Sequence, residues 1–227
     1  MPYKGIYLIG LTGNIACGKS AVVELLRELG AHVIDADRVT HELQRPGEPV
    51  YQQIVEAFGP GILSAPGSPI DRRALGAIVF ADPGALRLLE QIVHPAVHAR
   101  IEAWLGEVAR AGAGEWRSRG VDTSISPAPP LPYSPTRPVA VIDAIKLLES
   151  GWKPLCDAIW VVTCAPEQQL ARLVQNRGMS EDEARTRIAA QPPQAEKVAQ
   201  ASVVIDNSGT LDATGRQVAA AWQDIPL

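Results

Sequence analysis

Apolar residues run without interruption from Ile6 to Leu11, as in a strand buried on both faces. The spacing then changes. Val22, Val23, Leu25, Leu26 and Leu29 recur at helical intervals over 20–29, and Gly30 ends the pattern. "AHVIDAD" supplies a second short strand over 31–34 that ends in acid. Strand, turn, helix, strand is the unit that builds parallel sheets. From 38 to about 110 the period is helical, with Leu43, Val50, Ile54, Val55 and Phe58 in step and a break at "GPGILSAPGSPI". "DRRALGAIVF" reads as a helix with Asp71 near its start, and "DPGALRLLEQIV" as another capped by Asp82 with Pro83 in its first turn. His94 precedes Pro95, which biases it to an extended conformation, so a further helix is expected to open there and run to about Arg110.

"VAVID" over 139–143, "AIWVVTC" over 158–164 and the run over 202–205 predict three more strands. Helices are expected over 166–176 and 180–190, broken at Gly178, and over 211–222. Residues 111–137, rich in Pro, Ser and Gly, show almost no period and read as a loop. The sum is an α/β chain: a five-stranded parallel sheet with a helical insertion after strand two and a helical pair after strand four.

Composition narrows the function classes. Of 227 residues, 46% are hydrophobic and only 5% aromatic, so aliphatic packing must dominate an ordinary core. The net charge of −4 argues against a broad nucleic-acid-binding face. Cys17, Cys156 and Cys164 are too few and too scattered for a disulfide framework and read as reduced thiols. No secretory cleavage pattern follows the first apolar run, and no stretch approaches the roughly 20 apolar residues that span a bilayer. The expectation is a cytoplasmic protein with small-molecule partners, no membrane and no nucleic acid, and a monomer before any oligomer.

Between the first strand and helix, Gly13 to Ser20 match G-x-x-x-x-G-K-[ST]. In that setting, main-chain N–H groups ring the phosphate oxygens and the helix end adds positive charge. Lys19 meets the β and γ phosphates of ATP, and the Ser20 hydroxyl ligates Mg²⁺. Gly13, Asn14, Ile15, Ala16, Cys17, Gly18, Lys19, Ser20 and Ala21 are the donor-binding candidates. Asn14 tolerates a left-handed backbone. Cys17 reads as a small filler, although the helix end would favour its thiolate. Asp35 and Asp37, two apart, share a face if the chain there is extended. One of them could take a proton from an acceptor hydroxyl or help hold Mg²⁺, and Asp35 alone could cap the next helix. Asp143, ending a strand, is a candidate for orienting Mg²⁺ or substrate, and His94 for facing substrate. Arg172, Arg177, Arg185 and Arg187 cluster between strands four and five. Arg177, beside Gly178 at a helix break, is the phosphate candidate, while Arg172 and Arg185 read as part of a solvated salt-bridged face. Asp206–Gly209 formally reads D-x-x-G, a GTPase switch pattern, but no N-K-x-D follows. It is read as a turn near the adenine that includes Asn207.

"IGLTGNIACGKS", "VIDAD", "IVHP", "LVQNRGMSEDEARTRIAAQ" and "VIDNSG", in this order and spacing, resemble the dephospho-coenzyme A kinases over nearly the whole chain except 111–138. The resemblance implies a three-layer nucleoside monophosphate kinase type of P-loop fold and transfer of the ATP γ-phosphoryl to the 3′-hydroxyl of dephospho-CoA. It implies Asp37 as catalytic base, Lys19 as the phosphate cation, and Arg177 as a lid arginine. It also implies a nucleotide-binding core over 1–37, 138–165 and 202–227, a substrate domain over 38–110 and a lid over 166–201. The family loop is usually G-G-I-G-S-G-K-S, so Asn14, Ala16 and Cys17 stand where that pattern has Gly, Gly and Ser. "DAIKLLE" over 143–149 keeps the acidic ends of D-I-P-L-L-x-E and changes its middle. Two alternatives share the loop: another small-molecule kinase of nucleotide or shikimate type, and a nucleotide-dependent switch without acceptor turnover.

Overall fold

The computed structural model describes residues 5–111 and 137–226. The loop expected over 111–137 therefore lies, apart from its two end residues, outside the described residues. The chain divides into two compact units, one of Met1–Ile34 with Leu105–Leu227 and one of Asp35–Trp104.

In the first unit, β1 (Tyr7–Gly13), β2 (His32–Asp35), β3 (Val139–Asp143), β4 (Ala158–Thr163) and β5 (Val203–Asp206) form one sheet ordered β2-β3-β1-β4-β5. The registered pairs β1–β3, β1–β4 and β4–β5 are parallel, with Ile9 opposite both Val141 and Ala158. The three central strands are buried almost throughout, which is why they read as unbroken apolar runs. The edge strands β2 and β5 are more exposed. Alternation along β1, β3 and β4 sends Ile9, Leu11, Val141, Trp160 and Val162 to one face. There they pack with Val22, Val23 and Leu26 of α1 (Lys19–Glu28) and with Val218 and Trp222 of the C-terminal helix. Gly10 and Thr12 point the other way, toward the segment after β3 and toward Lys197. The chain leaves β1 toward β2 and β3 on one side and toward β4 and β5 on the other. That reversal opens a crevice at the carboxyl ends of the strands, where ligands of such sheets bind.

The second unit is helical: α2 (Ala36–Leu43), α3 (Pro49–Phe58), a 3₁₀ turn (Pro60–Ile62), α4 (Arg72–Ala81) and most of α5 (Pro83–Arg110). Its interior is aliphatic, with Ile54, Ile62 and Ile101 fully buried. Asp71 caps α4 as expected, accepting from the N–H groups of Arg73 and Ala74, and Asp82 accepts from the N–H of Gly84. The boundary expected at His94–Pro95 is absent. α5 is one helix of 28 residues with Pro95 inside it. The ring removes one backbone bond and disfavours helix locally. Burial of Val93, Val97, Ile101 and Leu105 on either side outweighs that cost, since each such side chain contributes about 1.5–3 kcal/mol.

Beyond β4 come α6 (Pro166–Arg177), α7 (Glu181–Ala189), a short α8 (Gln194–Val198) that periodicity did not reveal, and, after β5, α9 (Leu211–Gln223). Ser180 and Glu183 form a capping box on α7.

Candidate active site

The glycine-rich turn joins β1 to α1. Gly18 adopts φ 84 and ψ 29, a left-handed conformation, as the residue preceding the helix. A Cβ there would lie 1.9 Å from Asn207 Nδ2. At Gly13 a Cβ would lie 2.7 Å from the Val162 carbonyl oxygen. Both positions therefore exclude a side chain. The other left-handed residue is Ala16, at φ 58, and not Asn14 as the sequence suggested. An L-residue with a Cβ bears about 1 kcal/mol for this, and the glycine of the family pattern would not. Asn14 instead donates from Nδ2 to the Pro192 carbonyl at 3.1 Å, while its Oδ1 is buried without a partner.

Side chains outside the turn hold three successive carbonyls. Gln169 Nε2 donates to Ile15 O at 2.7 Å, Arg172 Nη1 to Ala16 O at 3.3 Å, and Asn207 Nδ2 to Cys17 O at 2.9 Å. A planar peptide places the next N–H opposite each carbonyl, so the amides of Ala16 and Gly18 are directed to the inner side of the turn. The first amides of α1 add donors with no acceptor within the helix. The turn is thus a preformed ring of N–H groups at a helix N-terminus, the arrangement that binds phosphate. Asn207 is itself fixed, its N–H donating to Thr163 O at 2.8 Å and its Oδ1 accepting from Thr214 Oγ1 at 2.9 Å. Arg172 also donates to Asn207 O at 2.8 Å. Gln191 Oε1 accepts from the Ile15 N–H at 2.8 Å, so that amide is already occupied.

Lys19 projects from the first turn of α1 and pairs with Asp143, the last residue of β3. Their side chains are only 16% and 11% exposed, so solvent screens the pair little. Nearby, Lys197 of α8 is buried and donates to Ile145 O at 2.8 Å and Thr12 Oγ1 at 3.4 Å. It thereby ties the segment after Asp143 to β1. Ser20 is exposed at the same helix end. Cys17 is fully buried, its thiol hydrogen-bonded to that of Cys164 and accepted by Gln194 Oε1 at 3.4 Å. The Cys164 contact, and then burial, push the Cys17 thiol well above the ordinary range. Cys17 is the packed filler expected from the sequence, and its thiol stays protonated despite the helix end.

The acids of "DAD" belong to the helical unit and do not lie extended together. Asp35 is the N-cap of α2, accepting from the Arg38 N–H at 2.9 Å, and Asp37, half-buried, is in the first turn of that helix. The shared-face geometry assumed for a strand is lost because the cap starts the helix at Ala36. His94 is exposed within α5. Arg177 is the exposed last residue of α6, before left-handed Gly178. Arg185 pairs with Glu181 at 2.6 Å on the exposed face of α7, as its spacing implied. Arg172 departs from that reading, since it reaches the phosphate turn.

The structure thus brings Gly13 to Ser20, Asp143 and Asn207 together in one unit. Gln169, Arg172 and Lys197 join them unannounced by any motif, and Gln191 joins as the last residue of the "LVQNRGMSEDEARTRIAAQ" stretch. The only hint for Gln169 and Arg172 is their three-residue spacing, which places both on one face of α6.

A Mg²⁺ ion fits the oxygen donors present. The Ser20 hydroxyl and the Asp143 carboxylate are hard ligands, and Mg²⁺ takes few ligands from protein when phosphates supply the rest. Among the described residues no group of three or more His, Cys, Asp or Glu could hold a metal by itself.

A sequence model of the dephospho-CoA kinase family matches residues 7–113 and 131–213. A dephospho-CoA kinase of Symbiobacterium thermophilum is 48% identical over 95% of this chain and 80% of its own length. That of Geobacter metallireducens is 43% identical over 96% of both. The crystal structure of TT1252 from Thermus thermophilus superposes with a TM-score of 0.75 at 28% identity, covering 99% of this chain and all of that one.

Proposed function

Because the chain belongs to the dephospho-CoA kinase family, we propose that its amide ring and Lys19 hold ATP while Asp37 accepts the proton of the acceptor hydroxyl. The reaction is ATP-dependent phosphorylation of the 3′-hydroxyl of dephospho-CoA, which yields CoA and ADP. The observation that supports the donor site is the outward anchoring of three consecutive loop carbonyls, which leaves the N–H groups of Ala16 and Gly18 preset for the donor's phosphates, while the Cys17 N–H donates to Asn14 O at 3.2 Å.

Phosphoryl transfer asks for position and charge compensation more than for covalent help. The ring of N–H groups binds the donor's phosphate oxygens without reorganising, because Gln169, Arg172 and Asn207 already fix it. Lys19, oriented by Asp143, places a compact positive charge where negative charge gathers on the transferred group. Asp37 takes the hydroxyl proton as the oxygen bonds to phosphorus, and ADP leaves. Ser20 and Asp143 would hold Mg²⁺, which supplies further neutralisation of the triphosphate. Arg177 adds a guanidinium from the end of α6, and His94 and Asp35 belong to the acceptor unit. The three free cysteines accord with a reducing cytoplasm. Among the described residues no helix is long and apolar enough to cross a membrane.

The test is purified protein with ATP and Mg²⁺, dephospho-CoA present or omitted, and CoA detected directly. CoA must form only when the acceptor is present. Asp37→Asn should lower kcat about 10²-fold or more with KM for ATP nearly intact. Equal losses in nucleotide binding and rate would remove Asp37 from the role of base.

A further inference from the structure

The helical unit contains a concavity of about 440 Å³ bounded by α2, the turn that follows it and the start of α4. That volume lies within the range of small-ligand pockets. Its wall carries the guanidinium groups of Arg38, Arg45 and Arg72, together with His41, against the single carboxylate of Glu42. Glu42 accepts from Arg38 Nε at 3.0 Å, but Arg38 is 75% exposed and the pair is solvent-screened. Two positive charges remain in excess. Arg72 is the first residue of α4, whose amino end adds partial positive charge. The neighbouring Asp71 is occupied in capping that helix.

The backbone beneath these side chains is held. The Arg45 N–H donates to Glu42 O at 3.1 Å, Ile70 bridges to Leu63, and the Asp71 N–H donates to Ile62 O at 2.8 Å. Pro46 and Pro69 stiffen the rim. Like charges gathered on a fixed concave wall repel one another. A doubly charged anion relieves that repulsion, and arginine forks match phosphate oxygens in pairs.

We propose that this pocket binds the diphosphate that joins the adenosine and pantetheine parts of the acceptor. The proposal rests on the acceptor assignment above and extends it to Arg45 and Arg72 as recognition residues. A diphosphate diester carries two negative charges, equal to the surplus in the pocket.

Steady-state kinetics of the whole enzyme test it. Both residues are exposed, so Gln at either site keeps the fold. Arg45→Gln and Arg72→Gln should each raise KM for dephospho-CoA on the order of tenfold, and the double variant on the order of 100-fold. KM for ATP should move less than about twofold. Arg45→Lys should recover part of the loss, since charge returns without the fork. In parallel, inorganic pyrophosphate is titrated with the phosphate turn filled by a non-hydrolysable ATP analogue. It should bind the unaltered enzyme in competition with dephospho-CoA and fail to bind the double variant. An acceptor KM within about twofold of the unaltered enzyme in both single variants overturns the proposal. Loss of pyrophosphate binding with an unchanged acceptor KM overturns it as well, because the pocket would then serve free anions. Dephospho-CoA turnover in the unaltered enzyme with unchanged variants sinks only the pocket. No acceptor-dependent turnover at all sinks the functional reading beneath it too.

Discussion

Gly18→Ala puts one methyl group where the structure has no room. The backbone at φ 84 costs an L-alanine about 1–2 kcal/mol. The new Cβ would lie 1.9 Å from Asn207 Nδ2. Asn207 is 6% exposed and short, so its amide cannot swing into solvent. Moving it breaks the bond to Cys17 O and strains the one from Thr214 Oγ1. A buried polar group left without its partner costs about 1–3 kcal/mol. The reduced freedom of the unfolded chain returns about 0.4–1 kcal/mol. The net expectation is a loss of about 1–4.6 kcal/mol, which for a chain of this size lowers Tm by about 2–18 °C. Thermal and urea denaturation measure the stability, and titration with ATP should show affinity falling with it, since the same contact presets the turn. The double variant Gly18→Ala/Asn207→Ala separates the two terms. With the amide gone, adding the methyl group should cost only the backbone part, about 1–2 kcal/mol. A Tm within about 2 °C of the unaltered protein for Gly18→Ala, or a methyl cost unchanged by Asn207→Ala, would refute this reasoning.

Lys19→Met should lower kcat by about 10²–10³-fold with CoA detected directly, because a poorly screened charge at the transferred group is lost; near-normal turnover would exclude Lys19 from the chemistry. Arg172→Ala removes the donor to Ala16 O and Asn207 O, so KM for ATP should rise on the order of tenfold while KM for dephospho-CoA holds; equal rises in both would point to general loosening. Burial, with help from the Asp157 charge, pushes the Cys156 thiol up to about 12. The folded state keeps this proton while the unfolded chain releases it near pH 8.5–9, so stability should fall as pH rises from about 9 toward 12, by up to about 1.4 kcal/mol per pH unit. Urea melts should show that slope reduced in Cys156→Ala, and identical slopes would contradict it.

Local chemistry wrote much of the molecule into the chain. The apolar runs over β1, β3 and β4 are legible because a strand covered on both faces needs no polar alternation. Gly13 and Gly18 are legible because a turn this tight admits no side chain. The Asp71 cap follows from a side chain reaching amides two and three residues away. The family likeness also lies in such short, contiguous stretches. What the chain alone left hidden depends on residues far apart in it. Pro95 reads as a helix boundary by local preference, and only burial on both sides of it carries α5 through. Asp35 and Asp37 change from a paired set to a cap and a first-turn residue, because the cap moves the helix start by two positions. The partner that keeps the Cys17 thiol protonated, Cys164, lies 147 residues away in sequence. Gln169, Arg172 and Lys197 have no motif, since their partners are chiefly backbone carbonyls, which every residue type carries equally. Periodicity reports which face is apolar, whereas only the packed sheet decides which carbonyl a given amide or guanidinium meets.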